Sequence, residues 1–253
     1  MLYPAIFIVL CFIYMEPVSD SIIEPKDMMD VVVSVLSKPY ISQYPQYFPY
    51  EKLLWVVALA SALLGFNRVF SLYGFLAMIV IGTFQSMGDI EDWDYVWLVS
   101  NSVAMYIVGL YFLNEFAFPQ NEFSWKNARK SRLWLLAFFP LLLWCPIKYQ
   151  DKAFVWDFSL NTLLFGDSAT AFCYVAPTLL AVMCIFYPHV DRPLFGVTTF
   201  VCSLFGAASM IAFGMRRMIP IIVMHIPLVV VSLYGYYLYF FANEPAIIKE
   251  KNE

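Results

Sequence analysis

The chain has 253 residues, of which 62% are apolar, 19% aromatic and 13% charged, with a formal net charge of −4. Ordinary soluble domains carry about 25% charged residues, so a water-facing globule of this length is disfavoured. A negative balance with no large basic surface also argues against nucleic acid as a partner, because phosphate binding needs one.

Apolar runs approaching ~20 residues mark membrane spans rather than soluble cores. The expected fold is therefore all-α, a polytopic transmembrane helical bundle of about eight spans (seven to nine), forming a single integral membrane domain over 1–253. Residues 2–15 begin it. They lack a basic leader region and run into Glu16-Pro17 rather than a small-x-small cleavage site, so they are expected to stay as a first helix. Residues 16–52 form an outer polar and aromatic segment. Within it, 26–37 suits a short amphipathic interfacial helix, and the Tyr- and Pro-rich 37–52 should lie extended against headgroups.

Residues 53–87 are apolar except at Asn67-Arg68 and Gln85. They read either as two spans, 53–66 and 69–87, or as one long tilted helix. A span of 53–66 would reach only about 21 Å against a hydrocarbon core of ~30 Å. The acidic 88–94 segment follows, then a clear span at 95–118 ended by Pro119. The 119–132 loop holds Lys126, Arg129, Lys130 and Arg132, and is assigned to the cytoplasm by the positive-inside rule. A short span at 133–147 carries Pro140 and Pro146.

A short amphipathic or re-entrant helix is expected near 153–165, ended by Gly166, with Asp167-Ser168 capping the next helix. A re-entrant path would imply a pocket, since non-helical backbone is tolerated in the membrane only under protein or beside water. Spans at 169–188, 194–214 and 219–242 complete the set. Counting forward puts Arg216-Arg217 outside, against the charge rule.

His225, two turns into the last span, is the one ionisable side chain expected well inside the long apolar stretches. Such groups usually mark function, although a neutral imidazole hydrogen-bonded within the bundle is the plain alternative. Asp157 and Asn161, one helical turn apart, and Asp167 could line a polar mouth. Asn101 could contact a solute or bond between helices. His225, Asp157, Asn161, Asp167 and Asn101 are thus the candidate substrate-binding residues, clustered toward the outer face. The plain alternative is a cap for Asp167 and a wet helix face for Asp157 and Asn161.

No cofactor is expected. A haem held by two histidines would need His189, at the other end of the intervening span. The acids Asp89, Glu91, Asp92 and Asp94 lack the spacing of an EF-hand, so a metal is left open. The five cysteines form no CxxC pair and read as buried thiols. Small-residue faces at Ser61 with Gly65, and at Ser203, Gly206 and Ala207, suit close helix packing.

A permease or carrier for a neutral or amphiphilic small solute ranks first, helped by prolines that break the spans. The absence of an internal repeat weakens it. An accessory or structural subunit of a membrane complex ranks next, and an interfacial lipid-modifying enzyme using outer-face carboxylates third. A non-enzymatic role is preferred. Membrane lipids are the expected partners, together with copies of the chain or other membrane subunits, and the plasma (cell inner) membrane is the expected location.

Overall fold

The computed structural model describes residues 2–150 and 153–242. Met1, 151–152 and 243–253 of the expected 1–253 domain lie outside them. The described chain is mostly helical. In order it runs α1 (Leu2–Tyr14), β1 (Val18–Ser19), α2 (Met28–Ser37), α3 (Phe48–Leu63), α4 (Asn67–Val80), β2 (Met87–Ile90), β3 (Asp94–Trp97), α5 (Val99–Ala117), α6 (Pro140–Leu143), β4 (Ile147–Gln150), β5 (Ala153–Trp156), α7 (Leu160–Phe165), α8 (Phe172–Phe186), α9 (Arg192–Met215) and α10 (Ile219–Phe241). A π-helical turn, Ile81–Gln85, extends α4, and a 3-10 helix, Lys130–Phe138, precedes α6.

Three helices are long and apolar enough to cross a membrane: Asn67–Gln85, Arg192–Met215 and Ile219–Phe241. A fourth arises if Leu160–Thr170 and Phe172–Phe186, bent by 70° at their junction, form one broken span. The expected count of about eight is not reached by this test, for local reasons. The first helix has only 13 residues and α3 only 16. In α5 the polar residues Asn101, Asn114 and Glu115 dilute a 19-residue helix. The 133–147 stretch is no single helix: a nine-residue 3-10 segment, rising about 18 Å, stops before Pro140.

The 53–87 stretch resolves into two helices, which removes the single long helix. Gly65 lies between them with φ +86°, a left-handed conformation that glycine adopts without Cβ cost. Gly65 is therefore a helix terminator, not part of a packing face with Ser61. The Ser203 and Gly206 face does pack closely: a Cβ on Gly206 would lie 3.1 Å from Val229, and the Ser203 hydroxyl sits 3.0 Å from that of Tyr236.

The amphipathic helix expected at 26–37 is α2. It lays Val31 and Val35 on Ile90 and Val96 of a three-stranded antiparallel sheet ordered β1-β3-β2, and on Leu98 just after β3. The acidic 88–94 segment is thus the tip of a hairpin. Its Asp94 takes φ 54°, which Asp tolerates better than most residues. The expected extended path over 37–52 is replaced by 3-10 turns at Tyr40–Gln43 and Pro45–Tyr47, followed by the start of α3. Prolines at the first turns explain this, since they suit helix starts.

The connections collect at two ends. At one end the Asn67 side chain donates to the Asn121 carbonyl, the Asp191 N–H donates to Asn121 Oδ1 at 2.7 Å, and the Glu122 N–H donates to the His189 carbonyl at 2.9 Å. The other end holds the sheet, α2 and the β4–β5 hairpin, with Arg216 paired to Asp30 and Phe154 edge-on to Phe213 at 5.9 Å. The main core fills the space between, around α8, whose residues Phe172 and Tyr174–Phe186 are all buried.

Candidate functional site

A cavity of about 400 Å³ opens at the end that carries the sheet. Four of the five candidate residues line it: Asn101 from α5, Asn161 from α7, Asp167 from the turn before α8, and His225 from α10. Asp157 does not line it. The helix expected at 153–165 is in fact the strand β5 followed by the six-residue α7, so Asp157 and Asn161 share no helix face. Asp157 instead organises the start of α7. Its Oδ1 accepts the Ser159 N–H at 2.9 Å and its Oδ2 accepts the Thr162 hydroxyl at 2.6 Å. Those bonds, the one from Thr162 foremost, hold the half-buried Asp157 carboxyl below the usual range.

Capping of α7 falls to Ser159, whose Oγ accepts the Thr162 N–H at 3.2 Å. Asp167 caps nothing; it lies in a 3-10 turn, Asp167–Thr170, where the chain bends into α8. Lys52 is the opposite charge that acts on it. The Lys52 ammonium is buried and donates to the Leu163 carbonyl at 2.5 Å, which ties α3 to α7 beside the cavity.

His225 is 5% exposed. Its Nδ1 lies 2.8 Å from the Ile221 carbonyl oxygen, and the Phe213 ring backs it at 5.5 Å. A carbonyl only accepts, so in the neutral ring Nδ1 carries the proton and Nε2 presents a lone pair. Asn101 is 7% exposed. Among the described residues, neither the Asn101 amide nor His225 Nε2 has a hydrogen-bond partner in the protein. Gln85, also on the wall, has its Oε1 engaged by the Phe172 N–H at 2.9 Å, which leaves its amide N–H groups as donors. The Cys145 thiol donates to the Tyr174 hydroxyl at 2.7 Å on the same wall.

The rim is built from parts far apart in sequence. Leu36, Ser37 and Lys38 come from α2 and the residue after it, and Lys148, Tyr149 and Phe154 come from the β4–β5 hairpin. Lys38 lies 5.9 Å from the Tyr149 ring centroid, linking the two. A second recess of about 650 Å³ beside it is lined by Asp20, Asp89, Glu91, Asp92 and Asp94 and shares Lys38 and Tyr149 with the first. Among the described residues no three His, Cys, Asp or Glu side chains gather closely enough to hold a metal.

Sequence reading missed several buried charges. Glu115, 0% exposed near the end of α5, means that His225 is not the one ionisable group inside the apolar stretches. A carboxylate at a helix C-terminus opposes the helix dipole and so calls for a local reason. That reason is present: Glu115 Oε1 accepts the Gln120 and Asn121 N–H groups at 2.8 and 2.7 Å. Arg132 is likewise buried and donates to the carbonyls of Cys184 and Tyr187.

No protein-family model matches the chain, and comparison with curated proteins and with solved structures gives no match either.

Proposed function

We propose that this is a multi-pass membrane protein that binds a neutral or amphiphilic small solute in the cavity between α5, α9 and α10, and acts as its permease or carrier. The observation that carries the reading is the pairing on the wall of one cavity of two buried polar side chains, Asn101 and His225, whose amide and Nε2 have no hydrogen-bond partner among the described residues. Buried polar groups without protein partners are costly unless water or a ligand satisfies them. A cavity of about 400 Å³ also falls in the range of small-molecule sites.

The finer topology belongs to the same proposal. Shorter segments such as α1, α3 and Lys130–Phe138 would cross beside the three long helices, giving about eight crossings. The gathering of connections at two ends supports this. The end with Arg68, Lys126, Arg129, Lys130 and Arg192 would face the cytoplasm of a cell inner membrane. The acidic end would then face outward, and the cavity with it. Arg216, which broke the charge rule, is offset there by Asp30.

Native mass spectrometry after mild extraction from the source membrane tests the proposal. One chain or a homo-oligomer carrying a bound small molecule supports it, with the extra mass lost in Asn101→Leu. Stoichiometric unrelated chains with an empty cavity would replace it with the accessory-subunit reading.

A further inference from the structure

We infer that the cavity selects an uncharged amphiphile whose head donates a hydrogen bond, a hydroxyl or an amide N–H, to His225 Nε2, with the Asn101 amide beside it. This rests on the reading of the cavity as a solute site and adds the chemistry of the solute. The tautomer sets the polarity. With Nδ1–H committed to the Ile221 carbonyl, the neutral ring offers only an acceptor to the cavity. An acceptor-only head, such as a ketone or ester, leaves that lone pair unpaired on a ring that is only 5% exposed. A hydroxyl or amide satisfies it. Asn101 has both an acceptor and donors, so it can take the second half of a hydroxyl or amide pair.

The charge pattern excludes an ionic head at this wall. Asn101, Met105, Phe205, Ser209, His225 and Leu228 line it, and none carries a fixed charge. The cavity's charged side chains belong to other elements: Lys38 and Lys148 are exposed at the rim, and Asp167 has Lys52 as its complement. An ion at the Asn101–His225 wall would be left without a counter-charge, which costs more than the wall can return. The same wall supplies apolar surface from Met105, Phe205 and Leu228 for a hydrocarbon tail.

The test uses the purified full chain in lipid nanodiscs, with n-decanol and a methyl alkyl ketone of matched length as probes. Binding is measured by equilibrium dialysis against empty nanodiscs. The alcohol should bind about tenfold more tightly than the ketone, the scale of one buried acceptor satisfied or left bare. In His225→Phe that ratio should fall to near one while ketone affinity is kept. His225→Leu gives the same readout if His225→Phe does not fold, whereas Asn101→Leu, on a different helix, removes an amide that can donate to either probe and should weaken both while leaving the ratio. Equal binding of both probes to the unaltered chain would overturn the donor inference while leaving a solute cavity. Binding of neither probe would overturn the cavity reading itself, and the inference with it.

Discussion

Gly74 on α4 packs against Phe112 on α5, and Gly74→Ala should destabilise the protein although alanine is the better helix former. A Cβ at Gly74 would lie 2.6, 2.7 and 2.8 Å from Cδ1, Cε1 and Cγ of Phe112. Carbon atoms rest at about 3.5–4.0 Å, so the overlap is roughly 1 Å with three atoms of one ring. The ring has no room to retreat: Phe112 is fully buried, and Phe70 braces it edge-on at 6.2 Å. Overpacking of this kind costs about 1–3 kcal/mol, against a gain of about 1 kcal/mol in helix propensity. The net expectation is a loss of up to about 2 kcal/mol. In a Phe112→Ala background all three obstructing atoms are gone, and Gly74→Ala should then stabilise by about 1 kcal/mol. The double-mutant cycle should therefore show a coupling of about 1–3 kcal/mol. Reversible unfolding in mixed micelles, followed by tryptophan fluorescence, measures all four corners. Additive effects, with alanine stabilising equally in both backgrounds, would refute the packing argument. The pair bears on the site as well, since α4 leads into Gln85 and α5 carries Asn101.

Gly65→Ala should lower stability by about 1–2 kcal/mol, because φ +86° suits glycine and the new Cβ would lie 3.2 Å from the Phe123 carbonyl oxygen; the same unfolding assay reads it. Asp157, held below the usual carboxylate range by the bonds from Thr162 and Ser159, contributes stability that is full above its unfolded-state value and is lost as pH falls through the lower folded-state value. Asp157→Asn should flatten the acid side of a stability profile measured between about pH 2 and 5. Asp191 behaves in the opposite sense. Burial pushes its carboxyl up, partly offset by the Leu194 N–H that it caps, so its contribution is full below the unfolded-state value and lost as pH rises through the folded one. Asp191→Asn keeps an acceptor for the helix start and should leave the melting temperature at pH 7 unchanged or higher, whereas Asp191→Ala should cost about 0.5–2 kcal/mol.

Much of the bundle was legible in the sequence because apolar composition and length act locally. The helices Arg192–Met215 and Ile219–Phe241 follow from runs that no other environment would bury. The amphipathic α2 follows from its spacing, and Asn67-Arg68 marks where 53–87 could divide, but the left-handed turn at Gly65 that makes the break shows only in the fold. Composition alone marks more spans than pass on helix length and hydropathy together. Hydropathy does not register that Pro140 divides 133–147, or that α1 and α3 are short for a bilayer.

Asn101, Asn161, Asp167 and His225, which line the cavity, stand out in the sequence because a polar group in an apolar stretch needs a reason. What sequence could not decide is which of them share a space. Asp157 looks like a partner of Asn161 only if 153–166 is one helix, and strand pairing of β5 with β4 removes that geometry. Tertiary structure alone joined the rim from α2 and the β4–β5 hairpin, placed Arg216 against Asp30, and set Glu115 on the Gln120 and Asn121 N–H groups. The physical reason is common to all of these. Whether a chain enters the bilayer depends on the summed hydrophobicity of a segment, which its own residues determine. Whether a polar side chain is satisfied depends on one atom from another segment lying within about 3 Å, and only the packed fold brings that atom there.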